Sequence, residues 1–102
     1  MSNYVFAYTG GSMAETPEEQ EASMQAWGQW FETLGDVVVE IGAPFGPSTA
    51  VRAGGATGAT VAGLGGYSVI QADSLELAAK LAGGCPVLDS GGSVEVYETI
   101  PM

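Results

Sequence analysis

Histidine is absent from this chain of 102 residues, cysteine occurs once, and the only cations are Arg52 and Lys80. With no histidine, the usual proton shuttle and thiol activator is missing. The lone Cys85 excludes an intramolecular disulfide and a cysteine-based zinc cluster, and it suits a reducing compartment. No run approaches the roughly 20 apolar residues needed to span a bilayer. The opening Met1-Ser2-Asn3-Tyr4 also lacks the basic and apolar regions of a secretory signal. These absences lead to the expectation of a cytoplasmic protein with no metal site and no cofactor.

What is present is acidic and apolar. Twelve Asp and Glu give a formal charge of −10, which repels phosphate backbones and anionic lipid head groups and argues against nucleic-acid and membrane partners. The carboxylate surplus serves solubility, or it draws a cationic ligand or partner. Hydrophobic residues make up 46% of the chain, and the mean hydropathy is +0.21. A domain of this length buries only about two thirds of the surface that its unfolded chain exposes. The apolar surplus therefore points to a subunit interface in a homodimer or a higher oligomer.

Residues 1–102 read as one domain in which strands and helices alternate. Asn3 to Thr9 is rich in aromatic and β-branched residues and stops at Gly10-Gly11, as a strand does. Neither of its faces is charged, so both are expected to be covered. Thr16-Pro17-Glu18-Glu19 joins an N-cap hydroxyl, a first-turn proline and a glutamate three residues after the cap, which together start a helix. That helix is expected to reach Leu34, end at Gly35, and carry Met24, Trp27, Phe31 and Leu34 as its apolar stripe, with Trp30 beside it and facing a partner surface. Val37 to Ile41 reads as a second strand, and Gly42 to Ser48 as a loop that Pro44 and Pro47 keep out of regular structure. Residues 49–65 read as a short edge strand plus a loop, and Tyr67 to Ala72 as a third strand. Asp73 is the expected N-cap of a second helix, with Glu76 at its third position; Gly83-Gly84 breaks that helix and Pro86 forbids its resumption. Ser93 to Ile100 alternates Val94, Val96 and Ile100 against Glu95, Tyr97 and Thr99, as a half-buried strand does.

The order βαβ followed by βαβ is the split βαβ pattern. It yields an α+β fold of ferredoxin-like type, an antiparallel sheet with both helices on one face. The bare face is then expected to meet its counterpart in a second copy, forming a dimeric α+β barrel. Gly10-Gly11-Ser12-Met13, Trp27-Gly28-Gln29-Trp30-Phe31, Leu34-Gly35-Asp36, Pro44-Phe45-Gly46-Pro47, Gly66-Tyr67-Ser68-Val69-Ile70, Ala72-Asp73-Ser74-Leu75, Gly84-Cys85-Pro86 and Gly91-Gly92-Ser93-Val94-Glu95-Val96 carry, as an ordered set over essentially the whole chain, a resemblance to the YCII-related proteins. That resemblance implies the same dimeric barrel. Most members of that family lack an assigned activity, and some are small-molecule enzymes that use a His and Asp pair. Here the place of such a histidine falls near Met24, which exchanges no proton, and the Asp-Gly-Pro-Phe motif of another branch is missing.

Function is thus expected to be the binding of a small organic ligand between the sheets. The alternatives are a lyase, isomerase or hydrolase-type enzyme that uses a carboxylate, and a purely structural or interaction module. If Glu95 and Tyr97 face the inter-subunit cavity, a partly desolvated carboxylate beside a phenol is a candidate acid or base; the competing reading is a solvent-facing pair. Tyr8, Trp27, Trp30, Phe45 and Tyr67 are candidate aromatic walls for a flat ligand, or else ordinary core. Arg52 is a candidate clamp for a ligand carboxylate, or a surface ion-pair partner. Cys85 follows a helix C-terminus, which disfavours its thiolate, and the glycine pairs match no phosphate loop.

Overall fold

Alternation of large and small side chains shapes the first strand, β1 (Ser2–Thr9), with Tyr4, Phe6 and Tyr8 on one face and Val5, Ala7 and Thr9 on the other. Its neighbours in the computed structural model, which describes residues 1–11 and 15–101, follow from the remaining apolar runs. After the Gly10-Gly11 turn come α1 (Pro17–Leu34), β2 (Val38–Pro44), a small β3 (Ala50–Val51) and β4 (Thr57–Gly58), then β5 (Leu64–Ala72), α2 (Leu75–Ala82) and β6 (Ser93–Glu98). Ser12 and Met13, the second half of the Gly10–Met13 motif, lie outside the described residues.

Among the described residues, four strands form one sheet in the order β2-β5-β1-β6, and each neighbouring pair is antiparallel. The molecule is therefore α+β. Each helix links two strands that run parallel to one another with a third strand between them: α1 carries the chain from β1 to β2 and α2 from β5 to β6. Register puts Tyr4 opposite Ile70 and Glu98, and Phe6 opposite Ser68 and Val96. Tyr4, Phe6, Tyr8, Ile70 and Ala72 consequently share the face that buries Trp30 and Leu34 of α1 and Ala78 and Ala82 of α2. Val5, Ala7, Val69, Glu95 and Tyr97 lie on the other face, over which no helix packs.

Capping explains both helix starts. Thr16 Oγ1 accepts from the Glu19 amide at 3.1 Å, while the Glu19 carboxylate reaches back to the Glu15 amide at 2.9 Å. For α2 the expected cap moves by one residue: Ser74, not Asp73, accepts the Leu77 amide at 3.1 Å. The helix opens at Leu75, so Glu76 sits too early to complete a capping box. Trp30 also departs from expectation. It is 6% exposed, stacks on Phe6 with ring centroids 6.1 Å apart, and faces the sheet, whereas Met24 at the start of the expected stripe is 75% exposed. The indole at Trp30, one turn before Leu34, turns the helix so that this pair enters the core.

Two further departures come from glycine and proline. Gly42 to Pro44 extends β2 where a loop was expected, because β2 is an edge strand and tolerates a proline. Gly42 adopts φ +78°, and a Cβ there would collide with the Tyr67 carbonyl, so the irregular pairing with β5 requires glycine. Residues 49–65 form no edge strand of the main sheet. β3 and β4 pair with each other in a separate hairpin, because Ala, Gly and Thr supply nothing bulky to anchor it to the core.

The fold is flat, 45 × 41 × 19 Å, with a radius of gyration of 15.0 Å, where a compact chain of about 100 residues has about 13 Å. It exposes 7020 Å², against about 5,400 Å² for a compact monomer of this mass. No helix among the described residues is long and apolar enough to cross a membrane. Because Trp30 bridges sheet and helix, Trp30→Ala is expected to lower the unfolding free energy by about 3–5 kcal/mol, and Thr16→Ala by about 1 kcal/mol, both measured by urea denaturation.

Candidate functional site

α1 packs on the sheet through Trp30 and Leu34, and a gap remains between its residues Ser23 to Phe31 and the edge strand β2. The gap is a cleft of about 640 Å³, within the roughly 300–1,000 Å³ that small-molecule sites occupy. Ser23, Met24, Trp27 and Phe31 of α1 form one wall; Ile41 to Pro44 of β2 form the other; Tyr8, Ser68 and the Gly65-Gly66 backbone lie across the bottom. Trp27 meets the Tyr8 ring edge to face at 4.9 Å and 80°, so the wall is held by the same aromatic cluster that packs α1 on β1.

The floor carries a hydrogen-bond chain. Tyr8 Oη donates to Ser68 Oγ at 2.8 Å, and Ser68 Oγ donates to the Ile41 carbonyl at 2.6 Å. A carbonyl only accepts, so the serine proton goes to Ile41 and the tyrosine proton must go to the serine. Burial pushes the Tyr8 phenol up to about 12, with the Ser68 hydrogen bond opposing in part and Cys85 adding a smaller push. Tyr8 stays protonated at any ordinary pH, its proton committed to Ser68; among the described residues no donor is bonded to its oxygen.

The opposite face of the sheet holds a second set of polar groups. Tyr67 Oη donates to Glu40 Oε1 at 2.7 Å, and Phe45 stacks on the Tyr67 ring at 5.7 Å. The hydrogen bond to Glu40 and the charge of that carboxylate raise the Tyr67 pKa. Glu95 stands opposite Ala7, and Tyr97 opposite Val5, so this pair points away from the helices. Tyr97 Oη reaches Glu95 Oε2 at 3.5 Å, a long contact, and is 56% exposed.

The candidate residues therefore divide. Tyr8 and Trp27 line the cleft, whereas Tyr67 borders it from β5 with its phenol turned to the opposite face toward Glu40. Trp30 lies beneath it in the core, where its Nε1 donates to the Leu81 carbonyl at 3.3 Å; the expected partner-facing position is corrected to an internal one. Phe45, Glu95 and Tyr97 belong to the uncovered side. Arg52 sits on the β3–β4 hairpin and donates from Nη2 to the Ala59 carbonyl at 3.2 Å, away from the cleft walls. Ser68, Ser23 and Ile41 are site residues that sequence reasoning missed. A single hydroxyl inside the apolar run Tyr67-Ser68-Val69-Ile70 was the available signal, since a buried serine must find a partner.

Among the described residues, no group of three or more Asp, Glu, Cys or His is gathered that would hold a metal ion. Cys85 is 2% exposed, and burial pushes its thiol up to about 11, which fits inert packing. No protein-family profile matches the chain, and no curated protein sequence matches it.

Two titrations check these environments. At pH 8 a thiol reagent is expected to label Cys85 in the folded protein at least about a hundredfold more slowly than in urea, because little thiolate exists and it is enclosed. For Tyr8, the unfolded phenol loses its proton near 10, while the folded one holds it to about 12. The unfolded state then binds fewer protons, so stability falls as pH rises from 10 to 12. Tyr8→Phe is expected to shrink that fall, measured by urea midpoints across the range.

Proposed function

We propose that the protein binds a small organic molecule in the cleft beneath α1, as one subunit of a ferredoxin-like, dimeric α+β barrel of YCII-related type. The cleft itself carries this reading: a concave, aromatic-walled space with a few fixed polar groups at its base is the usual form of a small-ligand site. The ligand is assigned there, and not to a chamber between two sheets, because one chain suffices to build it.

Three observations support the wider reading. The strand order β2-β5-β1-β6 is that of two interlocked split βαβ units. Met24, where the family's histidine would fall, lines the cleft, so the resemblance points to the same region of the fold. The surface in excess of a compact monomer is roughly 1,600 Å², about twice what each partner buries in a standard interface, and the uncovered face with Val5, Val69 and Tyr97 is the ground for a second copy. Binding is favoured over catalysis because, among the described residues, no Asp, Glu, Lys, Arg or Cys lines the cleft, and burial raises the pKa of Tyr8, the phenol at its floor.

Light scattering is expected to give a particle of twice the 10.3 kDa chain mass. In a metabolite thermal-shift screen, a true ligand at a hundredfold its Kd is expected to raise Tm by at least about 10 °C. Ser23→Trp, which fills the cleft from an exposed helix position, is expected to abolish that shift. Hits that stabilise the blocked variant equally well would place binding elsewhere.

A further inference from the structure

The polarity of the cleft floor is fixed by chemistry, not by choice of rotamer. Ile41 offers only a carbonyl, so the chain Tyr8 to Ser68 to Ile41 runs in one direction and consumes both hydroxyl protons. What Tyr8 Oη has left to offer a ligand is an acceptor. A ligand carboxylate or carbonyl aimed at the floor would meet lone pair against lone pair; an N–H or O–H would meet a partner.

Charge acts in the same sense. No lining residue of the cleft is charged. Both cations stand elsewhere, Arg52 against Ala59 on its hairpin and Lys80 on α2, so a ligand anion finds no counter-ion. The chain as a whole carries −10, and Glu18 and Glu19 load the first turn of the helix that forms the cleft wall. Trp27, Tyr8 and Phe31 line the cleft, and aromatic rings attract cations through their quadrupoles. Met24 and Ile41, 75% and 60% exposed, give the mouth an apolar rim suited to a ring or short hydrocarbon.

We infer that the cleft selects a compact arylalkylamine, an organic cation whose ammonium N–H donates to Tyr8 Oη and whose ring lies between Met24, Phe31 and Ile41. The inference rests on the proposed reading of the cleft as the ligand site. It assigns the surplus of carboxylates a role in ligand choice, since a field of this sign raises the local concentration of cations and lowers that of anions.

Phenethylamine, phenethyl alcohol and hydrocinnamate are similar in size and differ in charge. Titration of the full chain with each, followed by amide NMR shifts, tests the inference. The amine is expected to perturb Gly10, Gly65 and Gly66 and to bind on the order of tenfold more tightly than hydrocinnamate at low salt, with the gap narrowing as salt screens the field. Tyr8→Phe is expected to weaken the amine roughly fivefold and to leave hydrocinnamate as tight or tighter, since the opposing lone pair is gone. Hydrocinnamate binding as tightly as the amine overturns the ligand class and leaves the cleft a ligand site. Shifts from none of the three, or shifts that persist in Ser23→Trp, overturn both.

Discussion

The packing of α1 against β1 through aromatic rings is the contact on which the remainder of this molecule depends. Phe6 stacks on Trp30, Tyr8 meets Trp27 edge to face, and Phe31 leans on both indoles. Elsewhere the core joins Tyr4, Leu34 and Ile70 to small side chains, Ala72, Ala78, Ala82, Cys85 and Val87. Rings bury the most area per residue and supply most of the apolar stabilisation, so the aromatic cluster sets both where α1 lies and how firmly. The cleft is a by-product of the same geometry. The rings fix where α1 lies on the sheet, and the space left between Ser23, Met24, Trp27 and Phe31 and the edge strand β2 is the proposed ligand site. Stability and binding are thereby coupled, since Trp27 and Phe31 serve both.

A buried serine adds the second constraint. Ser68 is fully enclosed, and leaving its hydroxyl or that of Tyr8 without a partner would cost on the order of 1–3 kcal/mol each. Both are satisfied through the Ile41 carbonyl, which the irregular β2 backbone around Gly42 makes available. Gly42 therefore links the strand edge to the chemistry of the floor: the close approach that forbids a side chain there accompanies the hydrogen bond that orients Tyr8. The result is a mostly apolar pocket whose floor phenol is fixed as an acceptor, a pattern that discriminates ligands by what they donate.

The two faces of the sheet divide the work in the proposed assembly. The helix face carries the core and the cleft; the other face carries Val5, Ala7, Val69 and the tyrosine–carboxylate contacts of Tyr67 with Glu40 and Tyr97 with Glu95. Ala7 is only 4% exposed although no helix covers it, because the larger side chains around it close over a small residue. A flat sheet half covered in this way, on a chain that exposes more surface than its mass predicts, has a physical reason to pair. Ligand choice on one side and association on the other can then vary independently.

The strands and helices themselves were legible in the chain. Thr16-Pro17-Glu18-Glu19 and Gly35 bound the first helix, the alternation of β1 and β6 shows, and the βαβ-βαβ order confines the topology, because local capping and periodicity act within a few residues. Errors arose where the deciding partner was distant or adjacent choices were nearly equal: Asp73 and Ser74 are both good caps, Trp30 and Met24 lie on neighbouring helix faces, and Pro44 belongs to a strand only because that strand is an edge. The site was half legible. Tyr8 and Trp27 announced themselves as aromatics, whereas Ser68, Ser23 and Ile41 became site residues through contacts spanning as many as 60 positions. Composition alone determined that the protein is acidic, without histidine, and rich in apolar residues for its length. Only the tertiary structure decided which face of each strand meets the helices and which way the floor's protons point, since those depend on register and on groups that the chain brings together from far apart.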